Sequence, residues 1–289
     1  MKVVQFEEVE TVRRSPRGRE GSLEVKMLLT GDEDRADNFS FRWTDTDDNI
    51  YSPRHHHNFE QFTYLLDGET DFGNGMVLKA GQLIYIPEGT YYGPLSMPAH
   101  RRLAVQFGGP SGSGYLSQEG TTRAHRELQE TGEFKKGVYH PNDDAGGKGS
   151  QDSYEAIWEH VRQRTIVYPE PQYGGPIIIA PENFPWEPVG GMDGVHEKAL
   201  GTFSSARTRA AKYRLESGTK FVAAGRGLFV VLSGEGRVED QGYAELTTVY
   251  LDDGEEATFL AGDETEIVLL GLPSLARIAD EPPQLRVSV

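Results

Sequence analysis

One skeleton occurs twice in this chain, and it fixes most of what the chain can fold into. Thr63-Tyr64-Leu65-Leu66-Asp67-Gly68-Glu69 is matched by Phe229-Val230-Val231-Leu232-Ser233-Gly234-Glu235. Further on, Gly81, five residues and Pro87-Glu88-Gly89 are matched by Gly254, five residues and Leu260-Ala261-Gly262. Each copy is a short apolar stretch closed by a glycine turn, which is the texture of strands and not of helices. Duplication of a β unit is the economical explanation.

The remainder of the chain agrees. With 34 Gly and 16 Pro, turns punctuate short β-type segments such as 23–30, 39–43, 61–66, 83–87 and 102–107. A second β-rich block runs from about Gly201 to Leu272. Short strands at regular spacing predict an antiparallel sandwich or small barrel, an all-β class. Between the blocks, residues 108–120 turn Gly/Ser-rich, and two helices are expected, over 121–131 and 152–164. In the second, Asp152 and Glu155 supply a cap while Tyr154, Ile157, Trp158 and Val161 share a face. The polar stretch Asn142–Ser150 reads as mobile, and a tail with Pro282-Pro283 closes the chain.

Bulk properties exclude several functions. The 289 residues suffice for two cores, and no apolar run is long enough to span a bilayer. Cys is absent, which rules out disulfides, thiolate metal sites and a cysteine nucleophile. A formal net charge of −16 argues against nucleic acid and anionic membranes as partners. The first twenty residues carry no apolar signal, so a cytoplasmic location is expected.

The chemistry concentrates in His55-His56-His57-Asn58-Phe59-Glu60-Gln61. On a strand, residues of one parity share a face. His55, His57 and Gln61 therefore project together, and His56, Asn58 and Glu60 project the other way. Two imidazoles and an amide oxygen could supply half the shell of a divalent metal ion. In the second repeat, counting back from Gly234, the equivalent positions hold Phe221, Ala223 and Gly227, which cannot bind a metal. Tyr91-Tyr92-Gly93-Pro94 places two aromatics at a turn, as a pocket wall or as ordinary packing. Phe39, Phe41 and Trp43 share a face, more simply read as core than as cavity lining. His100 is placed at the pocket rim or on a surface loop, and the histidines at 125, 140, 160 and 196 read as structural.

These residues resemble the two signatures of the cupin superfamily. The first reads here His55-x-His57-(three)-Gln61-(six)-Gly68, and the second reads Gly81-(five)-Pro87-x-Gly89-(two)-Tyr92. The resemblance implies two cupin-type jelly-roll barrels: an N-terminal barrel over 1–110 with the metal-type motif, a partly helical connecting segment over 111–200, and a degenerate C-terminal barrel over 201–289. It also implies a metal site of His55, His57, Gln61 and Tyr92. Gln61 stands where the superfamily usually has Glu, and Tyr92 where it usually has a third His. Tyr92 could coordinate as phenolate or serve as a pocket hydroxyl. Glu60 lies one residue off register, and only a β-bulge would bring it inward. Fe(II) is the favoured metal, with Zn, Ni or Mn as alternatives. The implied function is a metal-dependent enzyme on a small organic molecule, first an oxygenase, alternatively an isomerase or lyase in which Glu60, Tyr92 or a water moves the proton. A non-catalytic small-ligand binding protein is the contrasting class. A homodimer is the expected assembly.

Overall fold

The computed structural model of the chain describes residues 1–14, 22–46, 50–135, 137–142 and 149–275. Most of the stretch Asn142–Ser150 and the tail with Pro282-Pro283 lie outside the described residues. Among the described residues, the strands form two large antiparallel sheets. In the first, the spatial order is Ile177–Ile179, Leu83–Ile86, Glu60–Asp71, His100–Phe107, Phe39–Thr46, Leu23–Thr30 and Val12–Arg14. The second runs Lys2–Val4, Thr248–Leu251, Gly227–Ser233, Thr265–Gly271, Arg209–Leu215, Val195–Thr202 and Glu187–Pro188. No helix of the described residues is long and apolar enough to cross a membrane.

Side-chain parity sorts these strands into apolar layers. Phe39, Phe41, Trp43, Phe62, Tyr85, Leu103 and Val105 of the first sheet pack against Leu228, Val230, Tyr250, Val268 and Leu270 of the second. The two sheets therefore share one core where they meet back to back, and the aromatic face of strand Phe39–Thr46 belongs to this seam. Behind the first sheet, Leu65, Ile84 and Ile86 meet Ile50, Leu78, Leu95 and Met97 of three short strands, which closes the N-terminal barrel. Behind the second, Phe229, Val231, Ile267 and Leu269 meet Phe221, Val238 and Phe259 of a four-stranded sheet, which closes the C-terminal barrel. Each such large side chain, fully buried, contributes about 1.5–3 kcal/mol. The repeated turn glycines agree in conformation, Gly68 at φ 81° and Gly234 at φ 89°, a region that favours glycine.

The chain straps the two halves together. Lys2–Val4 pairs with Thr248–Leu251 of the C-terminal sheet, and Ile177–Ile179 adds an edge strand to the N-terminal one. The connecting segment folds as its own layer. Helix α1 spans Gln118–Leu128 and starts earlier than the charge pattern suggests, because Ser117 Oγ accepts from Gly120 N at 3.2 Å. Helix α2 spans Ser153–Arg162, with Asp152 Oδ1 accepting from Tyr154 N and Glu155 N. Leu116, Ala124, Tyr139, Ile157, Trp158 and Ile166 form the core of this layer. A small sheet of Gly132–Lys135, Val138–Pro141 and Gln151–Asp152, unforeseen in the sequence, completes it.

Candidate functional site

The backbone brings two motifs together at the mouth of the N-terminal barrel. His55 and Tyr92 form a short antiparallel bridge, His55 N to Tyr92 O at 3.1 Å and Tyr92 N to His55 O at 3.0 Å. Gly89 N donates to His57 O at 2.7 Å. Gly89 has φ 76°, and a Cβ there would lie 2.0 Å from Pro169 O, so only glycine lets the connecting segment pass this close.

The side chains then converge. His55 Nε2 and His57 Nε2 each lie 3.0 Å from the Tyr92 hydroxyl. His55 Nδ1 lies 2.6 Å from Pro53 O, a carbonyl that can only accept, so Nδ1 carries the proton. In the neutral ring His55 Nε2 is then the acceptor, Tyr92 donates to it, and His57 Nε2–H donates to the Tyr92 oxygen. Phe59 stacks on His57 with centroids 4.3 Å apart, and Tyr154 of α2 meets His57 edge-on at 5.8 Å. Tyr154 also donates to Asn58 Oδ1 at 2.8 Å.

Gln61 is not gathered into this cluster. It faces the barrel interior, as parity requires. Its Oε1 accepts from Gln106 Nε2 at 2.8 Å, and its Nε2 donates to Thr63 Oγ1 at 3.0 Å. Gln106 Oε1 in turn accepts from Arg42 and from Tyr115. Among the described residues, no group of three or more His, Cys, Asp or Glu could hold a metal. What converges is two imidazoles and a phenol.

Glu60 faces away from the histidines. Its strand pairs in straight register there, Glu60 with Phe107 and Gln61 with Gln106, so no bulge turns it inward. The carboxylate is 1% exposed and lies in the seam, accepting from Tyr85 OH at 2.8 Å and Thr208 Oγ1 at 2.7 Å. The expected role for Glu60 in moving a proton at the histidines is therefore not supported by its position. Burial pushes its pKa up to about 7. A second buried carboxylate, Glu88, escaped the sequence reading although it sits inside Pro87-Glu88-Gly89. It accepts from Ser111 N and Ser111 Oγ, both at 2.8 Å, and burial raises it to about 7 as well.

His56 is stacked between Tyr91 at 4.0 Å and Tyr168 at 3.8 Å, and burial holds its pKa below the ordinary imidazole value. His100 is neither at the rim nor on a surface loop. It is 3% exposed, pairs with Gly68 at the opposite end of its strand from Gln106, and is pushed down to about 4 by burial. His125 stacks on Phe134, and His160 reaches Glu127, both within the connecting layer. A cavity of about 410 Å³ opens over the histidines, between residues 53–57, Tyr91 and the connecting segment. In the C-terminal barrel, Phe221 and Ala223, the sequence equivalents of the histidines, are 3% and 1% exposed and belong to the apolar core.

No family model matches the sequence. No curated protein matches it either. Solved structures do. A provisionally named dioxygenase from Nostoc punctiforme is similar with a TM-score of 0.59 and 10% identity, covering 97% of this chain and 84% of that one. A provisionally named glyoxylate-induced protein from Pseudomonas aeruginosa gives 0.55 at 12% identity, covering 99% and 90%. Oxalate decarboxylase from Lactobacillus farciminis gives 0.52 at 11% identity, covering 96% and 88%. The chain has the double-barrelled fold of the cupin superfamily, with both of its barrels all-β.

Proposed function

We propose that the N-terminal barrel is the working half of a metal-dependent enzyme acting on a small organic molecule, and that the C-terminal barrel serves as structure. The observation that carries this reading is the meeting of His55 Nε2 and His57 Nε2 at one phenol oxygen beneath a 410 Å³ cavity. The donor set suits a divalent ion. His55 is held through its other nitrogen by the Pro53 carbonyl, the outer contact by which ligating imidazoles are oriented. His55 and His57 would hold the metal through Nε2, with Tyr92 as phenolate, and Gln61 stays in its amide network. Bound there, the metal would supply a Lewis acid and open positions for water, O2 or substrate.

The chain's own residues prepare the site. For these groups to become ligands, the Tyr92 hydroxyl proton, donated to His55 Nε2, must leave, and the His57 proton must move from Nε2 to Nδ1. Phe59 and Tyr154 pack on His57 and shield it from water. Tyr154, through Asn58, ties α2 to the segment that carries the histidines. Fe(II) and an oxygenase reaction fit a mixed nitrogen and oxygen donor set with open positions, and the likeness to a provisionally named dioxygenase favours the same reading. An isomerase or lyase would use the same donors.

The test is anaerobic reconstitution with Fe(II), followed by O2 uptake against a panel of small enols and phenols, with His55→Ala alongside. Uptake in the wild type that His55→Ala abolishes supports the oxygenase. Metal binding without O2 uptake moves the reading to metal-dependent isomerase or lyase chemistry. Ligand binding without metal leaves a binding protein.

A further inference from the structure

The cavity wall beside His55 carries a charge that the metal reading does not use. The Arg54 guanidinium sits over the Tyr91 ring, 4.5 Å from its centroid. Tyr91 stacks on His56, and His56 stacks on Tyr168, so four side chains form a continuous ladder along one side of the cavity. Among the described residues, Arg54 forms no ion pair with a carboxylate. A guanidinium held over an aromatic face loses little freedom when it binds a ligand, and its fork of N–H donors matches a carboxylate bidentately. Tyr91 is 50% exposed, so this wall is open to an incoming molecule.

Acidic groups stand near the other end of the ladder, where Asp152 and Glu155 both act on Tyr168. Asp152 and Glu155, at the start of α2, line the same cavity. Asp152 is committed to capping the helix through Tyr154 N and Glu155 N. Its charge is offset there by the helix N-terminus, so the basic end of the cavity is at Arg54. A ligand carrying one carboxylate is thus oriented, with its charged end on the Arg54 side and its body between the ladder and the histidines.

We propose that this cavity takes a small organic acid, with its carboxylate held by Arg54, its body lying in the cavity beside the ladder, and its far end directed to His55 and His57. The proposal rests on the reading that this cavity is the working site, and it names the substrate class. Arg54 is then a specificity residue, selecting for the carboxylate. The volume of about 410 Å³ lies in the range of small-molecule sites.

The experiment titrates benzoate and its uncharged isostere benzamide into the full chain as purified, by calorimetry, with Arg54→Met and Arg54→Lys alongside. The account expects wild type to bind benzoate at least about tenfold more tightly than benzamide, the scale of a charge-assisted hydrogen-bonded pair. Arg54→Met should remove that preference while leaving the weak benzamide affinity unchanged. Arg54→Lys, which keeps the charge without the fork, should fall between. Thermal unfolding of each variant checks that it is folded. Equal binding of the two probes by wild type, no binding of benzoate, or full benzoate affinity in Arg54→Met would each overturn the proposal. Metal content, measured on the same samples, separates the two readings. A metal-loaded protein indifferent to benzoate loses only this proposal. A metal-free protein that prefers benzoate through Arg54 keeps the acid pocket and loses the metalloenzyme.

Discussion

The two barrels share strand order and turn glycines but differ in what lines the inner wall at matched positions. Across the inner wall of the N-terminal barrel runs a hydrogen-bonded chain of Arg42, Gln106, Gln61 and Thr63. At the corresponding wall of the C-terminal barrel, Ala211, Phe229, Val231, Ile267 and Leu269 pack with Phe221 and Phe259. Net hydrogen bonds add about 0.5–1.5 kcal/mol each, whereas each large apolar side chain adds about 1.5–3 kcal/mol. The C-terminal barrel is therefore filled for stability. The N-terminal barrel gives up some of that stability to keep polar groups inside and two imidazoles at its mouth. The difference teaches that, after a duplication, one copy can carry the cost of a site because the other supplies a packed partner for its outer face.

The comparison breaks first at matched positions. Phe229→Ala, in the packed barrel, should cost about 3–5 kcal/mol in denaturant unfolding. Thr63→Ala, at the equivalent site, should cost about 1 kcal/mol, the loss of its bond from Gln61. Equal costs would mean that the two interiors are energetically alike.

The seam should respond to pH where the C-terminal interior does not. Glu60 and Glu88 are both raised by burial from 4.5 to about 7. At these two groups the folded chain then holds more protons than the unfolded chain between about pH 4.5 and 7, whereas His100, pushed down to about 4, holds fewer. The carboxylates' contribution to stability should fall as pH rises through that window and level off above it. The scale is of order 3 kcal/mol per carboxylate. Unfolding at pH 5 and pH 8 should show a smaller drop in Glu60→Gln and Glu88→Gln than in wild type. Parallel pH curves would remove these groups from the account.

Gly89→Ala comes next. Its Cβ must displace the Pro169 carbonyl and occupy φ 76°, so a loss of about 1–3 kcal/mol is expected. The connecting segment should also become more open to proteolysis. The smallest effect belongs to the exposed pair Arg101–Asp67 at 3.1 Å, where Arg101→Ala should change stability by less than about 1 kcal/mol.

The sequence announces these features unevenly, and the reason is range. Gly68 and Gly234 are legible because a left-handed turn is a local demand. His55 and His57 are legible because their spacing to Gly68 is a local pattern, although the strand itself begins only at Glu60. The partner of Glu60 is Thr208, 148 positions away, and the partner of Asn58 is Tyr154, 96 positions away. Nothing near Glu60 announces that it faces a second barrel. Parity over 55–61 predicts that Gln61 projects with His55 and His57, but the strand begins only at Glu60, and the engagement of Gln61 by Gln106 depends on the pairing of two distant strands. The bridge between His55 and Tyr92 needs the same long-range pairing, and it is what brings the phenol to the imidazoles.

The central claim is that one barrel holds a metal and the other does not. Elemental analysis of untagged protein, purified without chelator and then reconstituted with Fe(II), tests it directly, with His57→Ala beside the wild type. The account predicts about one metal per chain in the wild type and none in His57→Ala, with both proteins folded. No metal in the wild type, or the same metal content in His57→Ala, would contradict it.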